Sequence, residues 1–239
     1  GQQDPAGVLA PAQQALPIGR GVVTGGFLGG GLGLRFPGLH RLAVQAQVDV
    51  VIWMAGIYRP VSTAQYQLGD MIEMTNTNYL SLLYALQHLL PYFLQRSKDP
   101  GKHSLGLAIV SSVAGYRGLP KALGYGPSKA ALSHLAEVLH LELAPQGVGV
   151  WVVHPGFVET PATAINNFKM PALISAQQAA HEIVQGLGRT AFEIHFPLRF
   201  TRFMKCLRWL PDRLYFALLR RALGGTEFAQ AKQISNSKA

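Results

Sequence analysis

Apolar positions along this chain follow two alternating rhythms. Short apolar runs at 48–53, 105–110 and 148–153 mostly lack polar alternation, as strands buried on both faces do, and 192–196 is a shorter fourth. Longer stretches between them carry leucine at helical spacing. Leu80, Leu83, Leu86, Leu90 and Leu94 predict a helix over about 71–95, and Leu132, Leu135, Leu139 and Leu143 predict another over about 124–143, stopped by Pro145-Gln146-Gly147. A further helix is predicted over about 176–186. Buried strands separated by helices imply an α/β fold, a doubly wound parallel sheet whose ligands bind beyond the carboxyl ends of its strands. The first 47 residues carry neither rhythm and include a glycine-rich run at 25–33.

Composition narrows the class. The 239 residues are 49% hydrophobic and 14% charged, which excludes a disordered chain and suits one domain over 1–239 with a sizeable core. The lone Cys206 excludes an internal disulfide framework and fits a reducing compartment. No apolar stretch reaches the roughly 18 residues that span a bilayer, so a cytoplasmic location is expected. The net charge of +9 invites a nucleic-acid reading, but its distribution argues against one. Seven of the 21 basic residues (Arg199, Arg202, Lys205, Arg208, Arg213, Arg220 and Arg221) alternate with aromatic and aliphatic side chains. Such a segment, about 198–223, suits a helix over a greasy pocket or a peripheral membrane contact. No zinc-finger spacing or RNA-binding aromatic motif accompanies it, so no nucleic-acid partner is expected. No metal is expected either: His181-Glu182 begins a zinc-protease-like string, but Gln185 stands where the second histidine belongs.

Three clusters carry candidate chemistry. In Tyr125-Gly126-Pro127-Ser128-Lys129, a phenol and an ammonium four positions apart share one helix face. A cation beside a phenol favours the phenolate and lowers its pKa from about 10, which suits acid–base work near neutral pH. Ser111-Ser112 ends the second predicted strand, where a hydroxyl can hydrogen-bond a substrate carbonyl. His154-Pro155-Gly156 ends the third, with Thr160 shortly after.

In this order, Ala55-Gly56 after a strand, Asn78 in a long helix, Ser112, Tyr125 with Lys129, and Pro155-Gly156-Phe157-Val158-Glu159-Thr160, the chain resembles the short-chain dehydrogenase/reductase family. The resemblance implies a Rossmann-like fold, NAD or NADP as cofactor, and interconversion of an alcohol and a carbonyl by hydride transfer. It implies Tyr125 as proton donor or acceptor, and Lys129 as the group that lowers the Tyr125 pKa and holds the nicotinamide ribose. It implies Ser112 as carbonyl-polarising serine, Asn78 as holder of a relay water, and Val158 and Thr160 as carboxamide contacts. Ala55, Gly56, Pro155 and Gly156 complete the implied cofactor surface. Asn78 is preferred to Asn76 because Asn78-Tyr79-Leu80-Ser81 matches the family's Asn-x-x-Gly step, with Ser81 replacing glycine; Met54 replaces the usual asparagine of Asn-Ala-Gly. A homodimer or homotetramer is implied, paired through the helices that hold Asn78 and Tyr125. Phe168, Met170, Leu173, Phe200, Phe203 and Trp209 suggest an apolar pocket and a lipophilic small-molecule substrate. The alternative is a protein of the same fold that has lost catalysis and serves as a binding or scaffold surface.

Thr24-Gly25-Gly26-Phe27-Leu28-Gly29-Gly30-Gly31 also fits the family's cofactor-loop pattern, yet Thr24 and Ala55 stand only 31 positions apart. Two strands of about five residues and two helices of about eleven do not fit between them. The match therefore reads as accidental. Residues 22–25 are instead expected to be the family's third strand, followed by a connecting helix around 37–46, in a chain lacking its first βα unit.

Overall fold

The computed structural model describes residues 22–25, 47–99, 105–160, 163, 170–189 and 191–222. Five strands form one sheet: β1 (Val22–Gly25), β2 (Val50–Trp53), β3 (Gly106–Val110), β4 (Gly149–Pro155) and β5 (Glu193–Phe196). They lie in sequence order, and every neighbouring pair is parallel. A parallel neighbour cannot be reached through a hairpin, and from β2 to β5 helical crossovers join the strands and cover both faces.

The strand period of two divides the core. Val51, Trp53, Leu107, Ile109, Val150 and Val152 point to one face, where they meet Leu82, Ala85, Leu89 and Phe93 of α2 (Ser81–Arg96) and Leu132, Ala136, Leu139 and Leu143 of α3 (Tyr125–Leu143). Val50, Ile52, Ala108 and Val153 point to the other face, against Ala179, Ile183 and Leu187 of α4 (Ala176–Leu187). The leucine stripes that predict α2 and α3 are thus the faces these helices bury. After α3, a short 3-10 turn over Ala144–Gln146 leads into Gly147, whose φ of 78° lies in the left-handed region that glycine enters at no steric cost.

Two expected helices differ in detail. The one over 71–95 runs from α1 (Leu68–Thr75) through a π turn (Asn76–Leu80) into α2. The basic segment over 198–223 is two helices, α5 (Leu198–Arg208) and α6 (Asp212–Ala222), because Pro211 cannot continue the first.

Residues 22–25 form a strand, as expected, and its partner is β2 itself. In a complete 3-2-1-4-5-6 sheet the first strand holds that place, and the third lies two strands away. Residues 22–25 thus stand where that order puts the first strand, which corrects their assignment as the third. The glycine run after Gly25 and the helix expected around 37–46 lie outside the described residues.

Phe93 is fully buried between sheet and helices. Its replacement by alanine should cost about 3–5 kcal/mol, read as a lower midpoint in chemical denaturation.

Candidate active site

The carboxyl ends of β2, β3 and β4 gather most of the expected residues. β3 ends at Val110, and its carbonyl accepts a hydrogen bond of 3.0 Å from Lys129 Nζ, one turn into α3. Lys129 is buried, and burial lowers its pKa to about 8. At neutral pH it is therefore still mostly an ammonium. Nζ stands 5.7 Å from the Tyr125 ring centroid.

Tyr125 begins α3. Burial raises its pKa above 10, while a hydrogen bond with the Ser112 hydroxyl pulls it down and the nearby Tyr58 raises it further. The net shift is upward. The expectation of a lowered phenol is therefore not met in this state: the nearest stabilising group is a serine, and the ammonium is directed at the β3 carbonyl. Tyr58 packs edge-on against Tyr125, with ring centroids 5.1 Å apart. Ser112 also accepts a bond from the Ala114 amide (3.2 Å), which caps the 3-10 turn Val113–Gly115 and fixes the hydroxyl at the strand tip.

Asn78 sits inside the π turn and is fully buried. Its Oδ1 accepts from the Ile57 amide (2.8 Å), and its Nδ2 donates to the Ile57 carbonyl (3.1 Å) and to Ser128 Oγ (2.9 Å). It thereby ties the loop after β2 to the turn that carries Tyr125 and Lys129. Gly56 lies between them: a Cβ there would stand 3.1 Å from Lys129 Nζ and 3.5 Å from Asn78 Oδ1. Ala55 is buried beside it, and Met54, in the usual asparagine position, is 43% exposed.

Beyond β4, the loop that carries Val158 and Thr160 is braced from within. The Thr160 amide donates to Thr163 Oγ1 (3.0 Å), and Thr163 Oγ1 donates to the Val158 carbonyl (2.7 Å). Val158 and Thr160 are thus held by Thr163, which no sequence spacing singled out. The Gly156 amide donates to the Phe196 carbonyl (2.7 Å), and a Cβ on Gly156 would meet the Phe200 ring at 2.8 Å, so glycine there admits α5. Of the expected pocket residues, Phe168 lies outside the described residues; Phe203 and Trp209 face outward, at 56% and 84% exposure.

A second polar chain, which sequence reasoning missed, runs beneath the site. Ser111 Oγ meets the Lys129 carbonyl (2.7 Å) and Ser133 Oγ (2.8 Å); Ser133 Oγ meets His154 Nε2 (2.9 Å); and His154 Nδ1 stands 2.9 Å from Glu193 Oε1. Glu193 also takes Lys205 Nζ (2.5 Å) and the Tyr116 hydroxyl. Burial pushes His154 below its usual 6.5 against the opposing pull of Glu193, so the ring is neutral at pH 7. Nδ1 then faces the carboxylate and Nε2 faces the Ser133 hydroxyl. The partners are scattered from 111 to 205, so no local motif could have found them.

Comparison with known proteins adds the family. A parallel α/β sheet with its polar groups at the strand tips defines a class of nucleotide-binding folds. The family model for short chain dehydrogenases matches residues 41–170, more than half of the chain, and the chain belongs to that family. An uncharacterized oxidoreductase of Myxococcus xanthus is 32% identical over 174 residues, 73% of this chain and 66% of that protein. The 11-beta-hydroxysteroid dehydrogenase-like 4A of Arabidopsis thaliana is 31% identical over 151 residues, 60% and 48% of the two chains. The chain spans about half to two thirds of the length of the curated relatives it matches. A short chain dehydrogenase from Burkholderia cenocepacia, solved with NADP, superposes with a TM-score of 0.65 at 21% identity over 76% of this chain and 75% of that one. Another from Mycobacterium paratuberculosis, bound to NAD, gives 0.53 at 19% identity over 66% and 67%. At these identities the two structures support the fold.

Burial alone would raise the Glu193 carboxyl, but hydrogen bonds from His154, Lys205 and Tyr116 hold it down to about 2, below its usual 4.5. Its contribution to stability is therefore complete above pH 4.5 and lost as pH falls through about 2. Glu193→Gln should cost about 2–4 kcal/mol at neutral pH. The gap from wild type, followed by urea denaturation, should close toward the acid end of that range.

Proposed function

We propose that this chain is the catalytic part of an NAD- or NADP-dependent oxidoreductase that interconverts a lipophilic alcohol and its carbonyl. The observation that carries the reading is the meeting of Ser112, Tyr125 and the Lys129 ammonium at the tip of β3, with the open backbone of Ala55-Gly56 beside them. The fit to a dinucleotide rests on that backbone: a Cβ at Gly56 would press on Lys129 Nζ at 3.1 Å, so glycine there leaves the ammonium its place beside the strand tip where a flat group would lie. Ala55, Gly56, Lys129, Pro155, Gly156, Val158 and Thr160 would hold the nicotinamide half. Bound there, the dinucleotide would supply or take up a hydride.

The chain's own residues handle the proton. Ser112 donates a hydrogen bond to the substrate oxygen and polarises it. Tyr125 gives its proton to that oxygen during reduction and takes one during oxidation. With Lys129 turned from the Val110 carbonyl toward the phenol, its cation stabilises the phenolate, and the raised phenol of the present state becomes a usable base. Asn78 braces the loop over Gly56 through its side-chain amide, and it would hold the relay water. Tyr58, edge-on to Tyr125, adds apolar area beside the phenol, which supports a lipophilic substrate. Exposed apolar side chains on the outer faces of α2 (Leu83, Tyr84, Leu94) and α3 (Val138, Leu141) suit pairing of copies through these helices, into a homodimer or homotetramer.

Tyr125→Phe should cut turnover of cyclic or aromatic ketones, followed by NADPH absorbance, by about 10²–10⁴-fold. NADPH binding, followed by fluorescence, should stay unchanged. Full turnover in this variant excludes the acid–base role. In the oxidation direction the rate should climb with pH as the phenolate forms, and Lys129→Met should move that limb to higher pH, since the loss of a nearby cation raises the phenol.

A further inference from the structure

Helices α5 and α6 are fastened to the body by few inward groups. Thr201, Leu207 and Tyr215 are buried, and Phe200 sits against Gly156. Arg117, in the loop that follows Ser112, works as a clamp. Its Nη1 donates to the carbonyls of Leu207 (3.2 Å) and Leu210 (2.5 Å), and its Nη2 pairs with Asp212. Its guanidinium lies 3.9 Å from the Tyr215 ring centroid, and the Tyr215 hydroxyl donates to the Gly118 carbonyl (2.6 Å). The helix pair is thus a preformed surface beside the site.

What that surface presents is unusual for a water-facing one. Leu198, Phe203, Trp209, Leu214, Phe216 and Leu218 are 42–84% exposed. Arg199, Arg202, Arg208, Arg213, Arg220 and Arg221 are exposed among them. Asp212 is the sole acidic residue from 198 to 222, and Arg117 already engages it. Exposed apolar area of this extent marks a contact surface. The charge selects the partner: two copies meeting through this face would bring like cations together, which argues against self-pairing. Nucleic acid would use the arginines and the rings but give Leu198, Leu214 and Leu218 nothing to pack on. A bilayer with anionic headgroups satisfies both, taking the apolar side chains at the acyl boundary and the arginines at the phosphates. Each helix has 11 residues, about 16 Å at 1.5 Å per residue, and no described helix is long and apolar enough to cross a membrane. These helices would lie in the interface plane.

We infer that the α5–α6 pair, locked in place by Arg117, docks this protein on an anionic membrane surface. Its use, taking a lipophilic substrate from the bilayer into the neighbouring site, rests on the oxidoreductase reading; the docking itself does not.

The full chain is mixed with phosphatidylcholine vesicles, with or without phosphatidylserine, and sedimented. Phosphatidylserine should tighten binding at least about tenfold, and salt should reverse the gain. Trp209 emission should shift to the blue. Phe203→Ser with Trp209→Ser should weaken partitioning about tenfold or more, and Arg199→Glu with Arg202→Glu should abolish the preference for anionic lipid. All four positions are exposed, and unchanged thermal midpoints identify folded variants. Failure to sediment with anionic vesicles at low salt overturns the inference, as does binding that neither variant weakens. So does an RNA oligonucleotide that strips the protein from vesicles, or lipid-free self-association that buries Trp209. None of these outcomes bears on turnover of a soluble ketone, so the docking and the oxidoreductase reading fail separately.

Discussion

The site depends on a hydrogen bond between a buried ammonium and the last carbonyl of a strand. A parallel strand ends with main-chain carbonyls facing the crevice above the sheet, and one of them, on Val110, has Lys129 Nζ as its partner at 3.0 Å. Burying a cation is costly unless it is hydrogen-bonded. Here the cost shows in an amine pulled down to about 8, with burial as the cause. A carbonyl is a weaker partner than a carboxylate, so the ammonium is held without being neutralised, 5.7 Å from the centroid of the Tyr125 ring. Helix α3, the loop at Gly56 and the tip of β3 all have their places set around this contact.

The polar chain beneath gives that geometry its rigidity. Ser111 and Ser133 both reach the Lys129 carbonyl, one from the sheet and one from the next turn of the helix. Through His154 the chain continues to Glu193 on β5 and Lys205 on α5. Two buried serines and a neutral histidine cost less to bury when they are hydrogen-bonded, and a connected network favours a single arrangement. The end of β3, the start of α3, the end of β4 and the C-terminal helices are thereby fastened as one piece. Thr163 and Asn78 do the same work on the two flanks, one bracing the loop after β4 and the other the loop after β2.

How much of this was legible in the sequence follows from the range of each interaction. The strands at β2, β3 and β4 and the helices α2, α3 and α4 come from local patterning, and burial on both sides of the sheet keeps that pattern simple. Tyr125 and Lys129 are readable because four helical positions place them on one face whatever surrounds them. The direction of the phenol's shift was not readable: it depends on burial and on Ser112, which only the packed structure brings together. The links from Tyr116 to Glu193 and from Arg117 to Asp212 cross 77 and 95 positions, and no spacing rule reaches that far. Residues 22–25 show a different limit. Their β-branched composition predicts a strand, but its neighbour in the sheet is a tertiary fact.

The π turn at Asn76–Leu80 has a consequence for how this gene can vary. It holds one residue more than an α-helical turn would, and Asn78 faces Ile57 because of that excess. Losing a single codon within Leu68–Thr75 would turn the residues before the gap by about 100° relative to the rest, and a loss inside the π turn would remove the excess and swing the amide off the loop it braces. Length changes in this lineage should therefore be excluded from that stretch and tolerated at the exposed residues just beyond Arg96, where no side chain of the crevice depends on the count.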